Sequence, residues 1–297
     1  MENLISVIIN FHNGEKYLEY SLKSVLEQNY KNLELILWDN ASTDDSKKVV
    51  NKFNDIRIRY FRNSKKDELY KARNKAISES KGTFIAFLDC DDWWEKDYLS
   101  SRKKFFKNKY FDFFYSNTNF FLEKKKKKKL YKKFSLPSGK IYSLLSKDYF
   151  IIISGVIFRK ELFQKFGNFN ENYNIIGDFD FIMKISRFCN AHAINLPLIN
   201  YRVHDDSFSK INSKMFYEEY KSWFEENKKK TENFDFNKNI LFHENRLNFL
   251  EISYLLKESK KNFIVFMKII KHNNLIEKIK FLILFFTPKK IHKFIRK

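Results

Sequence analysis

The stretch TFIAFLDCDDWW, residues 83–94, is an apolar run that stops abruptly at three carboxylates, Asp89, Asp91 and Asp92. A short continuous apolar run of this kind reads as a strand buried on both faces. Like charges this close repel, so either a positive group sits among them or some of them are protonated. On its N-terminal side, LISVII (4–9), LELILWD (33–39) and IRIRYF (56–61) read as three more strands. Between them KYLEYSLKSVLEQ (16–28), DDSKKVVNKF (44–53) and ELYKARNKAISESKG (68–82) carry helical spacing, the last stopped by Gly82. Strands alternating with helices predict an α/β fold, a mostly parallel sheet with helices on both faces. In such sheets ligands bind beyond the carboxyl ends of the strands. Asn10, Asp39 and the Asp89 group all fall at such ends, so the carboxylates belong to the mouth of a pocket.

Composition narrows the function. The 297 residues are 43% hydrophobic and include 34 Phe, enough for a sizeable core. Two cysteines, Cys90 and Cys189, imply no disulfide framework and fit a reducing cytosol. No basic-then-apolar leader opens the sequence, and no apolar run approaches the ~20 residues of a spanning helix. The expected location is cytoplasmic. The net charge of +21 draws anions. A phosphate-cradling G-x-x-x-x-G-K-[ST] or G-x-G-x-x-G is missing, and glycine totals only 6.

After residue 95 the pattern loosens. EKDYLSSRKKFF (95–106) reads as a helix and DFFYSNTNFF (112–121) as a strand. KKKKKK (124–129) reads as a solvated loop or hairpin tip, the alternative being a patch for an anionic partner. GVIFRKELFQKFG (155–167) is strand then helix, GDFDFIMKISRF (177–188) a helix opening with acids, and PLINYRVH (197–204) a strand. From about 211 the chain reads as helical.

Asp89 and Asp91 flank one residue, so on an extended chain both leave on the same side. One can then reach a hard cation while the other contacts a nucleotide, since Mg²⁺ is often held by one or two carboxylates plus substrate phosphates. The alternative is a surface turn capping the next helix. In WDNASTDDS (38–46), Asp39 ends a strand and could accept from a base N–H. The alternative there is an ordinary turn with Ser42 or Asp44 as N-cap.

SVIINFHNGEKYLEYSLKSVLEQNYKNLELILWDNASTDDS and ARNKAISESKGTFIAFLDCDDWW together resemble the inverting family 2 glycosyltransferases of the GT-A fold. GVIFRKELFQKFGNFNENYNIIGDFDFIMKIS and YRVH extend the resemblance to about residue 205. Asn10 stands where the family's P-x-Y-N has proline, and its acceptor-side E-D pair is here Gly177-Asp178. The resemblance implies a GT-A domain over 1–210, with a nucleotide-sugar half to about 115 and an acceptor half from about 116, then a helical basic region over 211–297. It places Ile9, Asn10, Phe11, Asp39, Arg73, Asp89 and Cys90 in the nucleotide-sugar pocket, with Asp39 on the base, typically uracil, and Asp89 on the ribose. Asp91 would hold Mn²⁺ or Mg²⁺ on the diphosphate, and Asp178 would be the general base. The donor would be a UDP-sugar and the acceptor a glycan or lipid-linked hydroxyl in bacterial surface polysaccharide synthesis.

Other readings stand beside these roles. Arg73 would equally serve a sheet-packing salt bridge, and Asp178 a helix N-terminus, with Asp180 nearby. His204 could reach the metal or diphosphate, or be structural. Trp93 and Trp94 could stack on an acceptor sugar or pack behind the metal loop. A nucleotidyl- or phosphotransferase would use the same metal–diphosphate site. A non-enzymatic basic module for membrane or nucleic acid leaves the acidic strand end unexplained, and no specific nucleic acid is expected.

The tail remains. Residues 260–297 carry eleven Lys/Arg against one acid, Glu277. Ile291, Phe294 and Ile295 share a helical face flanked by Lys289, Lys290, Lys293 and Lys297. Such a helix lies in the headgroup plane of an anionic bilayer. Alternatively FLILFF (281–286) packs back on the protein or forms a dimer contact.

Overall fold

In a computed structural model of the chain, residues 2–230, 234–258 and 260–287 are described. They fall into two units: residues up to Leu145 with Tyr149–His204, and Ser146–Asp148 with the chain from Asp205 onward.

The first unit is built on nine strands: β1 Ile5–Phe11, β2 Leu33–Asp39, β3 Ile58–Arg62, β4 Phe84–Phe87, β5 Trp93–Trp94, β6 Phe113–Leu122, β7 Lys127–Leu130, β8 Val156–Arg159 and β9 Ala191–Val203. Their order in the sheet is β3-β2-β1-β4-β8-β6-β9-β5, with β7 hairpinned onto β6. The first four are parallel, as the strand–helix alternation requires. Beyond β4 the sheet is mixed: β8 runs antiparallel to β4 and β6, while β9 runs parallel to β6. The lysine run is a hairpin: Lys126 takes a left-handed turn and Lys127–Leu130 pairs with the end of β6.

Helices α1 (Leu18–Leu26), α2 (Ser46–Val50), α3 (Leu69–Ser78), α4 (Tyr142–Leu145), α5 (Glu161–Phe166) and α6 (Gly177–Ser186) complete this unit. Alternation along β1 sends Ile5, Val7, Ile9 and Phe11 into a core shared with Leu18, Leu22 and Val25 of α1. Ser6, Ile8 and Asn10 point to the opposite face. The helix expected over 95–106 tightens to a 3₁₀ segment, Ser100–Phe105.

The second unit is helical throughout the described residues: α7 Phe208–Ile211, α8 Ser213–Lys228, α9 Phe234–Lys238, α10 Ile240–Lys257, α11 Phe263–Ile270 and α12 Leu275–Phe286. FLILFF packs in part within this unit, since Phe281 and Leu284 are buried with Ile252, Leu256, Val265 and Ile269. The face proposed at Ile291, Phe294 and Ile295 lies outside the described residues. No helix among the described residues is long and apolar enough to cross a membrane.

Candidate active site

The parallel strands do not end level. The β1–β4 pairing stops at Ile8 and Phe87, but β1 continues to Phe11 beside β2. The chain leaving β4 turns there, and it carries Asp89 to Asp92. These acids have distinct surroundings. Asp89 accepts a hydrogen bond from the buried Arg73 guanidinium, and its N–H donates to Ser154 Oγ at 3.2 Å. Burial pushes its carboxyl up to about 6; Arg73 opposes that push, while Asp91 and Asp178 add to it. Asp92 is only 1% exposed and accepts from Ser154 Oγ at 2.6 Å and from the Arg202 N–H at 2.9 Å. Burial raises it well above the usual carboxylate range, as do Asp91 and Asp89. Asp91 keeps its side chain 28% exposed, with Oδ2 at 2.9 Å from His204 Nε2. A cation therefore sits beside Asp89, while Asp92 is held between two hydrogen-bond donors.

Helix α3 supplies the opposite wall. Tyr70 and Arg73 lie three apart on one face, so both reach the same side. Arg73 meets Asp89, and the Tyr70 hydroxyl donates to Asp178 Oδ1 in the first turn of α6. One turn on, Asn74 anchors the approach to α6 by bonding both the carbonyl and the N–H of Phe169. Carboxylates more than 85 residues apart in sequence thus share one electrostatic neighbourhood.

A divalent cation fits this donor set in a limited way. Asp91 and His204 offer one carboxylate and one imidazole, while Asp89 and Asp92 are engaged elsewhere. Among the described residues no group of three or more His, Cys, Asp or Glu could hold a metal by itself. Mn²⁺ or Mg²⁺ is accommodated if substrate phosphate oxygens complete the shell, the usual arrangement at phosphate-binding Mg²⁺ sites.

The family model described as glycosyl transferase family 2 matches residues 6–177. The chain belongs to glycosyltransferase family 2. Among curated relatives, the E. coli UDP-Glc:alpha-D-GlcNAc-diphosphoundecaprenol beta-1,3-glucosyltransferase WfaP is 38% identical over 106 residues, 36% of this chain and 42% of its own length. The first curated relatives are all matched over less than half of their lengths. Two solved structures share the fold of this family 2 enzyme. S. aureus TarS 1-349 in complex with UDP-GlcNAc has a TM-score of 0.57 at 17% identity, over 96% of this chain and 71% of that one. The mannosyltransferase PcManGT of Pyrobaculum calidifontis, in complex with GDP-Man and Mn²⁺, has 0.63 at 14%, over 100% and 84%.

The remaining residues expected at the glycosyltransferase site have distinct surroundings. Trp94 is buried, stacks on Tyr98 at 4.0 Å and donates from Nε1 to the Ser154 carbonyl at 2.6 Å, so it packs behind the loop and presents no face to a sugar. Trp93 is partly exposed, with the Arg202 guanidinium 4.8 Å from its ring centroid. Asp39 is fully buried, its oxygens accepting from the Ser42 N–H and the Tyr60 hydroxyl, each at 2.7 Å. Ser42 does not cap α2: its hydroxyl accepts from the Asn13 N–H, while Asp44 accepts from the N–H groups of Glu15 and Ser46. Ile9 and Phe11 bury their side chains in the core, leaving only backbone for a ligand. Cys90 packs against the same core, and its carbonyl accepts from Ser21 Oγ at 2.9 Å. Asn10 does open toward the α3 face, and its Oδ1 and Nδ2 are buried with no hydrogen-bond partner among the described residues.

Three residues that organise the site were not singled out from sequence: Tyr70, Ser154 and Arg202. Tyr70 had a signal, its place one turn before Arg73 on the same helix. Arg202 had one in YRVH, where only His204 drew a role; Ser154 had none, because its role depends on the turn before β8 meeting the β4 end.

Proposed function

We propose that this family 2 enzyme transfers a sugar from a nucleotide-sugar, a UDP-sugar, to a hydroxyl of a glycan or lipid-linked acceptor in bacterial surface polysaccharide synthesis. The observation that carries the reading is the pairing made by α3, which holds Asp89 through Arg73 and Asp178 through Tyr70 on one side of the strand ends. The relative named above as using UDP-Glc and a diphosphoundecaprenol-linked GlcNAc supports this donor and acceptor class.

The acceptor oxygen attacks the anomeric carbon from the face opposite the diphosphate. Its proton passes to Asp178, which must be an ionised carboxylate to take it. The bond from the anomeric carbon to the phosphate oxygen breaks, and its electron pair leaves with the nucleoside diphosphate. A single displacement of this kind inverts the anomeric centre. Asp89 contacts the ribose, and the partnerless Asn10 carboxamide offers the nucleotide a donor and an acceptor. Asp91 and His204 would hold Mn²⁺ or Mg²⁺, which when bound supplies Lewis-acid stabilisation of the departing diphosphate.

The test is nucleoside diphosphate release by the full chain from a panel of UDP- and GDP-sugars, with a diphosphate-lipid-linked sugar as acceptor. Acceptor-dependent release should vanish in EDTA and return with Mn²⁺ or Mg²⁺. Asp178→Asn should slow it roughly 10²–10⁴-fold with donor affinity nearly unchanged. Full activity after exhaustive metal removal overturns the metal assignment. An active Asp178→Asn beside a dead Asp180→Asn moves the base to Asp180.

The second unit is the part proposed to meet the membrane, at its cytosolic face. α11 and α12 expose Phe263, Ile264, Ile276, Ile279, Ile283 and Phe286, with Lys271 and Lys280 exposed beside them.

A further inference from the structure

The departure of Gly177 from the family's E-D pair has a physical cause in the structure. A Cβ on Gly177 would stand 2.6 Å from both Cγ and Cδ2 of Tyr70. Those atoms are the root of a ring that is 1% exposed, so they cannot swing aside as the end of a flexible side chain would. Any side chain at 177 and the Tyr70 ring therefore compete for one space. A glutamate before Asp178 is sterically incompatible with this tyrosine.

The ring that takes this space ends in a hydroxyl on Asp178 Oδ1, with the Ile175 carbonyl 3.2 Å away. Asp178 opens α6, where its carboxylate could otherwise swing back toward the free N–H groups of the first turn. We propose that Tyr70 is the positioning residue for the base Asp178 and that Gly177 is its obligatory steric counterpart. This rests on the reading of Asp178 as the base. The hydroxyl fixes one carboxylate oxygen and leaves Oδ2 for the acceptor proton. Burial and the Asp178 charge hold the phenol well above its ordinary range, so it stays an O–H donor. Because Arg73 rises from the same face of α3 to Asp89, one helix face sets the donor-side and acceptor-side carboxylates together.

The groups facing Asp178 electrostatically are Tyr70 and Arg73 from α3, Asp89 from the β4 end, Tyr201 from β9, and Tyr149. Among these the Tyr70 hydroxyl is the hydrogen-bond donor.

Tyr70→Phe keeps the ring and deletes only the oxygen. In the full chain kcat should fall roughly 10–100-fold, the range expected for a hydrogen bond to a charged group. KM for the donor should hold, so that the loss falls on kcat, a split that a general structural fault would not give. A wild-type kcat in Tyr70→Phe, or a fall in kcat matched by a rise in donor KM, overturns the positioning role, provided Asp178→Asn is inactive. An active Asp178→Asn instead removes the base assignment on which it stands. The steric half is read by thermal unfolding. Gly177→Ala should lower Tm when Tyr70 is present and cost much less in a Tyr70→Ala background. Equal losses in the two backgrounds overturn the pairing.

Discussion

Asp89, Cys90, Asp91 and Asp92 are consecutive, yet each does a different job. Asp89 is tied to a buried guanidinium, Cys90 fills core, Asp91 is open, and Asp92 is a buried strut between Ser154 and the Arg202 backbone. Substitutions should separate these jobs. Asp91→Asn should abolish cation-dependent turnover with little change in Tm, because the side chain is partly exposed and an asparagine oxygen can still meet His204 Nε2. Asp92→Ala should do the reverse in kind: it strands the Ser154 hydroxyl and the Arg202 N–H, each lost buried partner costing roughly 1–3 kcal/mol. Differential scanning calorimetry beside the release assay decides between them, and a wild-type Tm for Asp92→Ala removes the strut. The acid cluster itself was legible in the sequence, since charge after an apolar run has few explanations. The division of labour was not, because Arg73, Ser154 and Arg202 reach it from separate parts of the chain. The same limit holds for the burial of Trp94 and Asp39, which comes from neighbours distant in sequence.

At the scale of elements, runs buried on both faces were the readable ones. LELILWD became β2 without change, because every residue in it is buried. β1 runs two residues past its apolar stretch, since pairing with β2 carries Asn10 and Phe11 along. β9 begins well before PLINYRVH; the start AHAIN, with two alanines of little strand preference, pairs because β6 lies beside it, and no local pattern encodes a distant partner. The two-residue β5 has the same origin. Helix packing in the second unit carries a pH consequence. His243 of α10 is fully buried, stacked 4.7 Å from the Phe236 ring of α9, with Nδ1 2.8 Å from the Tyr220 hydroxyl of α8. Burial lowers its pKa to about 4 from the ordinary 6.5. Between those values the unfolded chain binds the proton and the folded chain does not. Stability is therefore full above about 6.5 and is lost as pH falls toward 4, by up to the order of 3 kcal/mol. Melting of the wild type should fall between pH 7 and pH 5 by more than that of His243→Phe. Identical falls in both proteins would mean that other groups drive the acid loss.

At the scale of the whole molecule, the charge of +21 is unevenly used. The first unit gathers acids at the strand ends, while residues 260–297 carry eleven Lys/Arg against one acid. With three prolines in all, no Pro-rich linker marked where one unit gives way to the next, so the sequence located the helical region better than its edge. α12 is apolar on two sides. Phe281 and Leu284 face the core of the second unit, whereas Ile276, Ile279, Ile283 and Phe286 form an exposed stripe at i, i+3, i+7 and i+10. We propose that this stripe meets an anionic bilayer, with Lys271, Lys278 and Lys280 of the same region available to its headgroups. Each lysine near such a surface contributes about 1 kcal/mol, so the three add roughly 3 kcal/mol to the apolar burial, a hold that salt should weaken. The full chain should co-sediment with vesicles containing phosphatidylglycerol at low salt, less at high salt, and little with pure phosphatidylcholine. Ile279→Glu with Phe286→Glu should cost little stability, both side chains being exposed, and should release the protein from the vesicles. Failure to bind anionic vesicles at low salt would end the membrane assignment, and undiminished binding by the double variant would take it away from this stripe.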